Sequence, residues 1–313
     1  KANGTTHMLD DVMHNPVAKY TDPNQLKAEM DILFKNFPII IAHSSDLPEA
    51  GSFLTYNDLP QPFGFGDLDK SKLGLVELPV FEEFGMIWVV PSKTEQTIDF
   101  DAWTAPMREQ LNGLDLGGHV VFKKWSLDRN MSWRLALEGF QESYHFCSAH
   151  RDTACSSYLD NQSVHMNFYP HVRHAVPLPS IEELREKPEA EWDYRPHYMT
   201  QNYLFPANFV QVMTDHVYVH TIIPTGQGTC KFQCMMLIPE APKTEKAERY
   251  WNKNYDLIRI VFDEDFVIGE GIQKGLNTNA NQEFLFGMYE CGLHFGQTAI
   301  DDALKGDLTV DTV

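Results

Sequence analysis

Residues 142–150 read Glu142-Ser-Tyr-His145-Phe-Cys-Ser-Ala-His150, two imidazoles five residues apart with a carboxylate three residues before the first. Asp265, far downstream, is a candidate third ligand. Two histidines and one carboxylate can hold a single Fe(II) on one face and leave the opposite positions free for oxygen and substrate. The chemistry in prospect is oxygen activation, with His145, His150 and Asp265 as metal ligands.

The periodicity from 131 to about 149 predicts one long helix that must carry both histidines. At about 100° per residue, Trp133, Leu137, Phe140, Tyr144 and Cys147 fall on one side, and Glu138, Glu142 and His145 on the other. Leu135, Phe146 and Ala149 flank that second side, so its polar stripe is expected to face an interior site or a subunit interface. His145 and His150 stand about 140° apart on an ideal helix, so their rings converge only if the helix ends or distorts near Ser148. The bland alternative puts Arg134, Glu138 and Glu142 in i,i+4 contacts on a wet face, with the histidines capping the helix end. A second predicted helix, from 244 to 276, weighs against it. Phe262, Phe266, Gly269, Ile272 and Leu276 share one arc with Asp265 inside it, whereas Asp263, Glu264, Glu270 and Lys274 point elsewhere. A carboxylate on an apolar face is costly unless hydrogen-bonded, paired or metal-bound.

The other histidines invite plainer readings. His216 and His220 share a strand face without a carboxylate of similar orientation, which suits pocket or core residues better than ligands. His171 and His174, with Arg173, lie in a loop-like stretch and read as surface or lid residues. Five cysteines, without the density of a disulfide scaffold, fit reduced thiols and a cytoplasmic location. Cys230-x3-Cys234 has no second pair to complete a metal site, Gly64-Phe-Gly66 leads into no phosphate loop, and no Gly-x-Ser-x-Gly elbow occurs. A net charge of −19, from 44 acidic against 25 basic residues, argues against nucleic acid as a partner. No apolar run approaches a membrane span, and residues 1–7 lack a secretory h-region.

Around these motifs the chain mixes strands and helices without βαβ alternation. An N-terminal helical lead starts near Asp22 or Asn24; strands follow at 37–42, 52–56, 73–79 and 85–90, then a helix at 100–111 and a strand at 119–127. Later strands are expected at 209–223, 229–239 and 284–287, and helices at 244–276 and 293–304. The fold class is α+β, an antiparallel sheet with helices laid against it.

These residues resemble the α subunits of the Rieske non-haem iron oxygenases, the aromatic-ring-hydroxylating and demethylating family. The family signature is an acid, two residues, His, four residues, His, and later an Asp early in a helix ending Ile-Gln-x-Gly-Leu; here Glu142, His145, His150, Asp265 and Ile272-Gln-Lys-Gly-Leu276 occupy those places. Trp133-Arg-Leu, Leu204-Phe-Pro and Phe286-Gly-Met-Tyr-Glu290 extend the likeness over most of 70–313. The resemblance implies a helix-grip catalytic domain at 93–313 holding Fe(II), a partial Rieske-type domain at 36–92 and a helical lead at 1–35. It implies that Glu142 bridges electron transfer between subunits of a homotrimer, that an NAD(P)H-dependent reductase or ferredoxin supplies the electrons, and that O2 and a small, possibly aromatic, organic substrate are consumed. Phe140, Phe146 and His216 are candidates for the substrate pocket.

One departure matters. A Rieske [2Fe-2S] cluster takes two cysteines and two histidines, which the family supplies as Cys-x-His and Cys-x2-His, and neither motif occurs between residues 36 and 92. Residues 36–56 and 74–89 resemble the opening and closing strands of such a domain, with the cluster-bearing middle missing near 57–66. Either the full-length protein has a segment there beyond this sequence, or it has dispensed with one; an intact mass clearly above 35.9 kDa indicates the former. Two rivals remain open at this stage: a non-catalytic helix-grip protein for hydrophobic ligands, and a zinc hydrolase using the same three ligands.

Overall fold

The computed structural model describes residues 6–55, 77–92 and 98–310. Its strands are β1 (Met13–Pro16), β2 (Ile39–His43), β3 (Val80–Glu83), β4 (Met86–Val89), β5 (Val120–Arg129), β6 (Val164–Phe168), β7 (His171–Pro177), β8 (Tyr198–Leu204), β9 (Asn208–Val212), β10 (Val217–Gly226), β11 (Thr229–Ile238) and β12 (Glu283–Phe286). Its helices are α1 (Ala18–Thr21), α2 (Pro23–Asn36), α3 (Phe100–Thr104), α4 (Arg108–Asn112), α5 (Trp133–Glu138), α6 (Phe146–Ala149), α7 (Glu245–Leu276) and α8 (Cys291–Lys305). The junction at 57–66 lies outside the described residues.

Seven strands form an antiparallel sheet in the order β5-β11-β10-β9-β8-β7-β6. α5 meets β10 and β11, α7 meets β5, and α8 meets β6 and β7. β2, β4 and β3 form a small separate sheet. The two sheets are tied where Asn208 accepts from the Ile40 amide at 2.9 Å and the Thr221 hydroxyl donates to the Ile40 carbonyl at 3.1 Å. The N-terminal segment crosses to the far end of the chain, with β1 pairing with β12, and α2 starts at Asp22, whose side chain accepts from the Asn24 amide.

The stretch 131–149 is not the single helix its periodicity predicts. α5 stops at Glu138 and α6 is one turn. Glu142 takes the amides of Tyr144 and His145 onto its carboxylate, donors that a continuous helix would direct at carbonyls. α8 also packs against the break. A Cβ on Gly292 would lie 2.1 Å from the Gln141 carbonyl oxygen, so only glycine permits the approach there, and one on Gly296 would displace the Gln141 side-chain amide, 2.6 Å away.

The wet-face alternative also fails. Arg134 is fully buried. Its Nε donates to Glu29 at 2.7 Å and its Nη1 to Gln297 at 2.9 Å, while Trp133 Nε1 donates to the second Glu29 oxygen at 2.6 Å. Glu138 accepts from the Tyr20 hydroxyl at 2.7 Å rather than from Arg134.

Burial pushes the Glu138 carboxyl up to about 7, against the lowering effect of Tyr20 and Arg134. Because the folded pKa lies above the unfolded one, the favourable contribution is complete below about pH 4.5 and is lost as pH rises through 7. Glu138→Gln is therefore expected to flatten the fall in stability between pH 5 and pH 8. It should raise stability at pH 8 by on the order of 2 kcal/mol, discounted for the group's partial exposure. Urea unfolding at the two pH values reads this directly.

Three further differences concern two strand regions and one helix. The predicted strand at 209–223 is two, β9 and β10, turning where the Met213 amide donates to the His216 carbonyl at 2.9 Å. The helix at 100–111 is α3 and α4 joined by a 3-10 turn at Pro106, which lacks an amide hydrogen. Residues 52–55 and 77–79 are irregular. His171 and His174 are not lid residues: both are buried on β7, and burial holds the pKa of each below its ordinary value. No helix among the described residues is long and apolar enough to cross a membrane.

Candidate metal centre and cavity

The break in the helix brings the two histidines together. His145 immediately precedes α6 and His150 immediately follows it, so a single turn separates rings whose centroids are 5.2 Å apart. α7 brings Asp265 against both: its Oδ1 is 2.9 Å from His150 Nε2 and 3.5 Å from His145 Nε2. One ligand atom from each of the three lies within 4.8 Å of the others.

The remaining ring nitrogens are engaged by carboxylates. His145 Nδ1 faces Glu142, and His150 Nδ1 is 2.8 Å from Glu264, which also accepts from Thr153 at 2.7 Å. A proton held on Nδ1 leaves the Nε2 lone pair free, the usual outer support of a metal-ligating histidine. Burial opposes protonation of both rings, yet the Glu142 hydrogen bond holds His145 above its ordinary pKa, and Asp265 does the same for His150. A divalent cation would satisfy the same negative field, and the donor set of two imidazoles and one carboxylate suits Fe(II). Glu264, which the helical wheel turns away from the site, is a neighbour of His150 that the sequence reading misses. Its position directly before Asp265 was the available signal.

Cys147 and Cys155 form a disulfide spanning His150, with Cα atoms 4.7 Å apart. This corrects the expectation of five reduced thiols; Cys230, Cys234 and Cys291 are free and buried.

A cavity of about 270 Å³ opens on the three residues. Phe140, Phe146 and His216 line it, together with Phe262, Tyr158 and Met199. The sheet contributes some of its polar groups. Gln201 and Gln211 are buried with their Oε1 atoms unpartnered, as is His174 Nε2. His216 has the carboxylate partner that the sequence reading denied it: Asp215 lies 2.7 Å from Nδ1, and the Tyr218 hydroxyl is 2.9 Å from Nε2. His220 is a core residue among Phe140, Phe209, Phe232 and Phe262, where burial pushes its pKa down to about 3. The described residues lining the cavity include no lysine or arginine. A second cavity of about 270 Å³ reaches Glu142, His145 and Asp265 from the side of Ile268, Ile272 and Phe284.

The sheet, the broken helix and the clustered residues define a class. Residues 117–306 match the family model for the ring hydroxylating alpha subunit (catalytic domain). The chain belongs to that family, the Rieske non-haem iron oxygenases, and is an oxidoreductase. Among solved structures it is similar to the quaternary ammonium Rieske monooxygenase CntA in complex with L-carnitine, at 14% identity and a TM-score of 0.71 over 94% of this chain and 96% of that one. It is also similar to naphthalene 1,2-dioxygenase from Rhodococcus sp. bound to indole, at 12% identity and a TM-score of 0.67 over 93% and 94%. At such identities the likeness speaks for the fold. No curated protein sequence matches the chain.

Proposed function

We propose that His145, His150 and Asp265 bind one Fe(II), and that the chain hydroxylates or demethylates a small, neutral organic substrate at the cavity of about 270 Å³. The observation that carries this is the convergence of two Nε2 atoms on Asp265 Oδ1 while both Nδ1 atoms are held by carboxylates. When bound, the iron supplies activation of O2 with electrons delivered from outside. The chain's own groups do the rest: Glu142 and Glu264 hold the imidazole tautomers, Phe140, Phe146 and Phe262 exclude water, and His216, Gln201 and Gln211 meet the substrate's polar atoms.

The domain division at 36–92 and 93–313, the [2Fe-2S] cluster in the full-length protein, the NAD(P)H-dependent reductase or ferredoxin, the homotrimer and the cytoplasmic location belong to this same proposal. In it Glu142, 12% exposed and reached by the second cavity, carries electrons across a subunit boundary. Membership in an oxygenase family sets aside the ligand-binding and hydrolase rivals.

That the described lining holds no lysine or arginine bears on substrate class. A zwitterion such as L-carnitine, the ligand in one CntA structure, would leave its carboxylate without a counter-ion, and an unpaired buried charge is costly. An aromatic with one hydrogen-bonding group, such as indole, fits the apolar walls and the unpartnered amides. The test is iron analysis followed by turnover with a chemical reductant, O2 and a panel of indole, naphthalene, benzoate and L-carnitine. About one iron per chain and oxidation of indole in preference to the two carboxylates is the expected result. No iron, or preferential oxidation of a carboxylate, overturns the proposal.

A further inference from the structure

Away from the cavities, three segments distant in sequence bring a second set of ligand types together. His7 belongs to the N-terminal segment, His165 to β6 at the edge of the large sheet, and Cys291 is the first residue of α8. One ligand atom from each lies within 4.8 Å of the others. None of the three lines either cavity at His145.

The independent pointer to a ligand is His165. Its ring is buried, 4% exposed, and stacked on His174 with centroids 4.1 Å apart. Nε2 donates to the Gln141 carbonyl at 3.3 Å, so in the neutral ring the lone pair is on Nδ1, which has no hydrogen-bond partner. An unmatched buried acceptor is costly. The His7 ring lies 6.3 Å from that of His165, centroid to centroid, and its Nδ1 accepts from the His165 amide at 3.2 Å. The Cys291 thiol points at two carbonyls, 3.5 Å from Met288 and 3.8 Å from His7, separations suited to a weak donor that a cation can displace. Cys291-Gly-Leu-His294 is also a Cys-x2-His, but His294 turns away to donate to the Gly287 carbonyl at 3.1 Å.

We propose that His7, His165 and Cys291 form a second metal site, for one Zn(II)-class ion, separate from the His145, His150 and Asp265 centre. A thiolate with two imidazoles is the donor set that Zn(II) favours, with water completing the tetrahedron. Binding deprotonates the thiol, and that single proton passes to solvent. The ion would staple the N-terminal segment and the start of α8 to the sheet edge at β6, a stabilising role distinct from the oxygen chemistry.

Cobalt(II) is the probe, because a thiolate-to-cobalt charge-transfer band arises only where sulfur ligates, and the proposed iron centre has no sulfur. Purified protein stripped with chelator and titrated with Co(II) should develop the band to one equivalent and lose it when Zn(II) is added. Cys291→Ser should abolish it. His7→Ala, whose side chain is accessible and whose loss leaves the core intact, should weaken Co(II) binding at least tenfold, and this variant keeps the test valid if Cys291→Ser does not fold. Absence of the band in the unaltered protein, its survival in Cys291→Ser, or unchanged affinity in His7→Ala overturns the proposal and leaves a hydrogen-bonded cluster only.

Discussion

Asp265→Ala is expected to leave the purified protein with almost no iron and to lower turnover by about three orders of magnitude. Asp265 is the one carboxylate whose oxygen lies near the Nε2 atoms of both histidines, at 2.9 and 3.5 Å. Two imidazoles alone make a weak, neutral site, and the several kcal/mol that a correctly held metal contributes to the reaction goes with it. The fold should survive, because the Asp265 side chain is partly exposed and shares its arc with Phe262 and Phe266, which remain packed. Metal analysis beside an unchanged circular dichroism spectrum checks this. Full iron content in the variant would show that Asp265 is a hydrogen-bonded carboxylate and no ligand.

Glu142→Gln separates holding the metal from feeding it. The side chain faces His145 Nδ1 and accepts the amides of Tyr144 and His145. Glutamine can keep one acceptor for those amides but removes the charge that fixes the imidazole proton. Loss of such an outer partner costs about 10–100-fold in affinity or activity. Iron content is expected to stay above half, with turnover driven by the physiological electron donor falling about a hundredfold. Single-turnover assays on pre-reduced protein distinguish the causes. Recovery there places the defect in electron delivery, and persistence places it in the geometry of His145.

The grouping of His145, His150 and Asp265 was legible because residue type and spacing suggest it, and because an acid amid Phe262 and Phe266 must be explained. The break that lets the rings meet was only half legible. The 140° disagreement demanded a distortion, but the wheel placed it near Ser148, whereas Glu142 and the approach of Gly292 open the chain earlier. Both causes are tertiary or side-chain effects that periodicity does not register. β6 to β8 were illegible for a different reason. On β7 the buried positions 172, 174 and 176 alternate as a strand requires, but one of them is His174 and the strand ends at Pro177, so the apolar signal is broken. Gln201 and Gln211 went unnoticed because a glutamine becomes informative only once its burial is known.

The buried pair of Glu29 and Arg134 bears on where one unit ends and another begins. Residue 36 is a natural place to cut on the page, yet Glu29 is the counter-ion of a guanidinium in the helix that leads to His145 and His150, and the Tyr20 hydroxyl donates to Glu138. A polypeptide beginning after residue 36 would keep the whole large sheet and strand a cation in its interior, a loss of about 3–5 kcal/mol. The first helices thus belong energetically with the large sheet and the helices laid on it. Any chimaera that exchanges the small sheet of β2, β3 and β4 on this scaffold has to splice after α2, leaving the N-terminal arm with its partner.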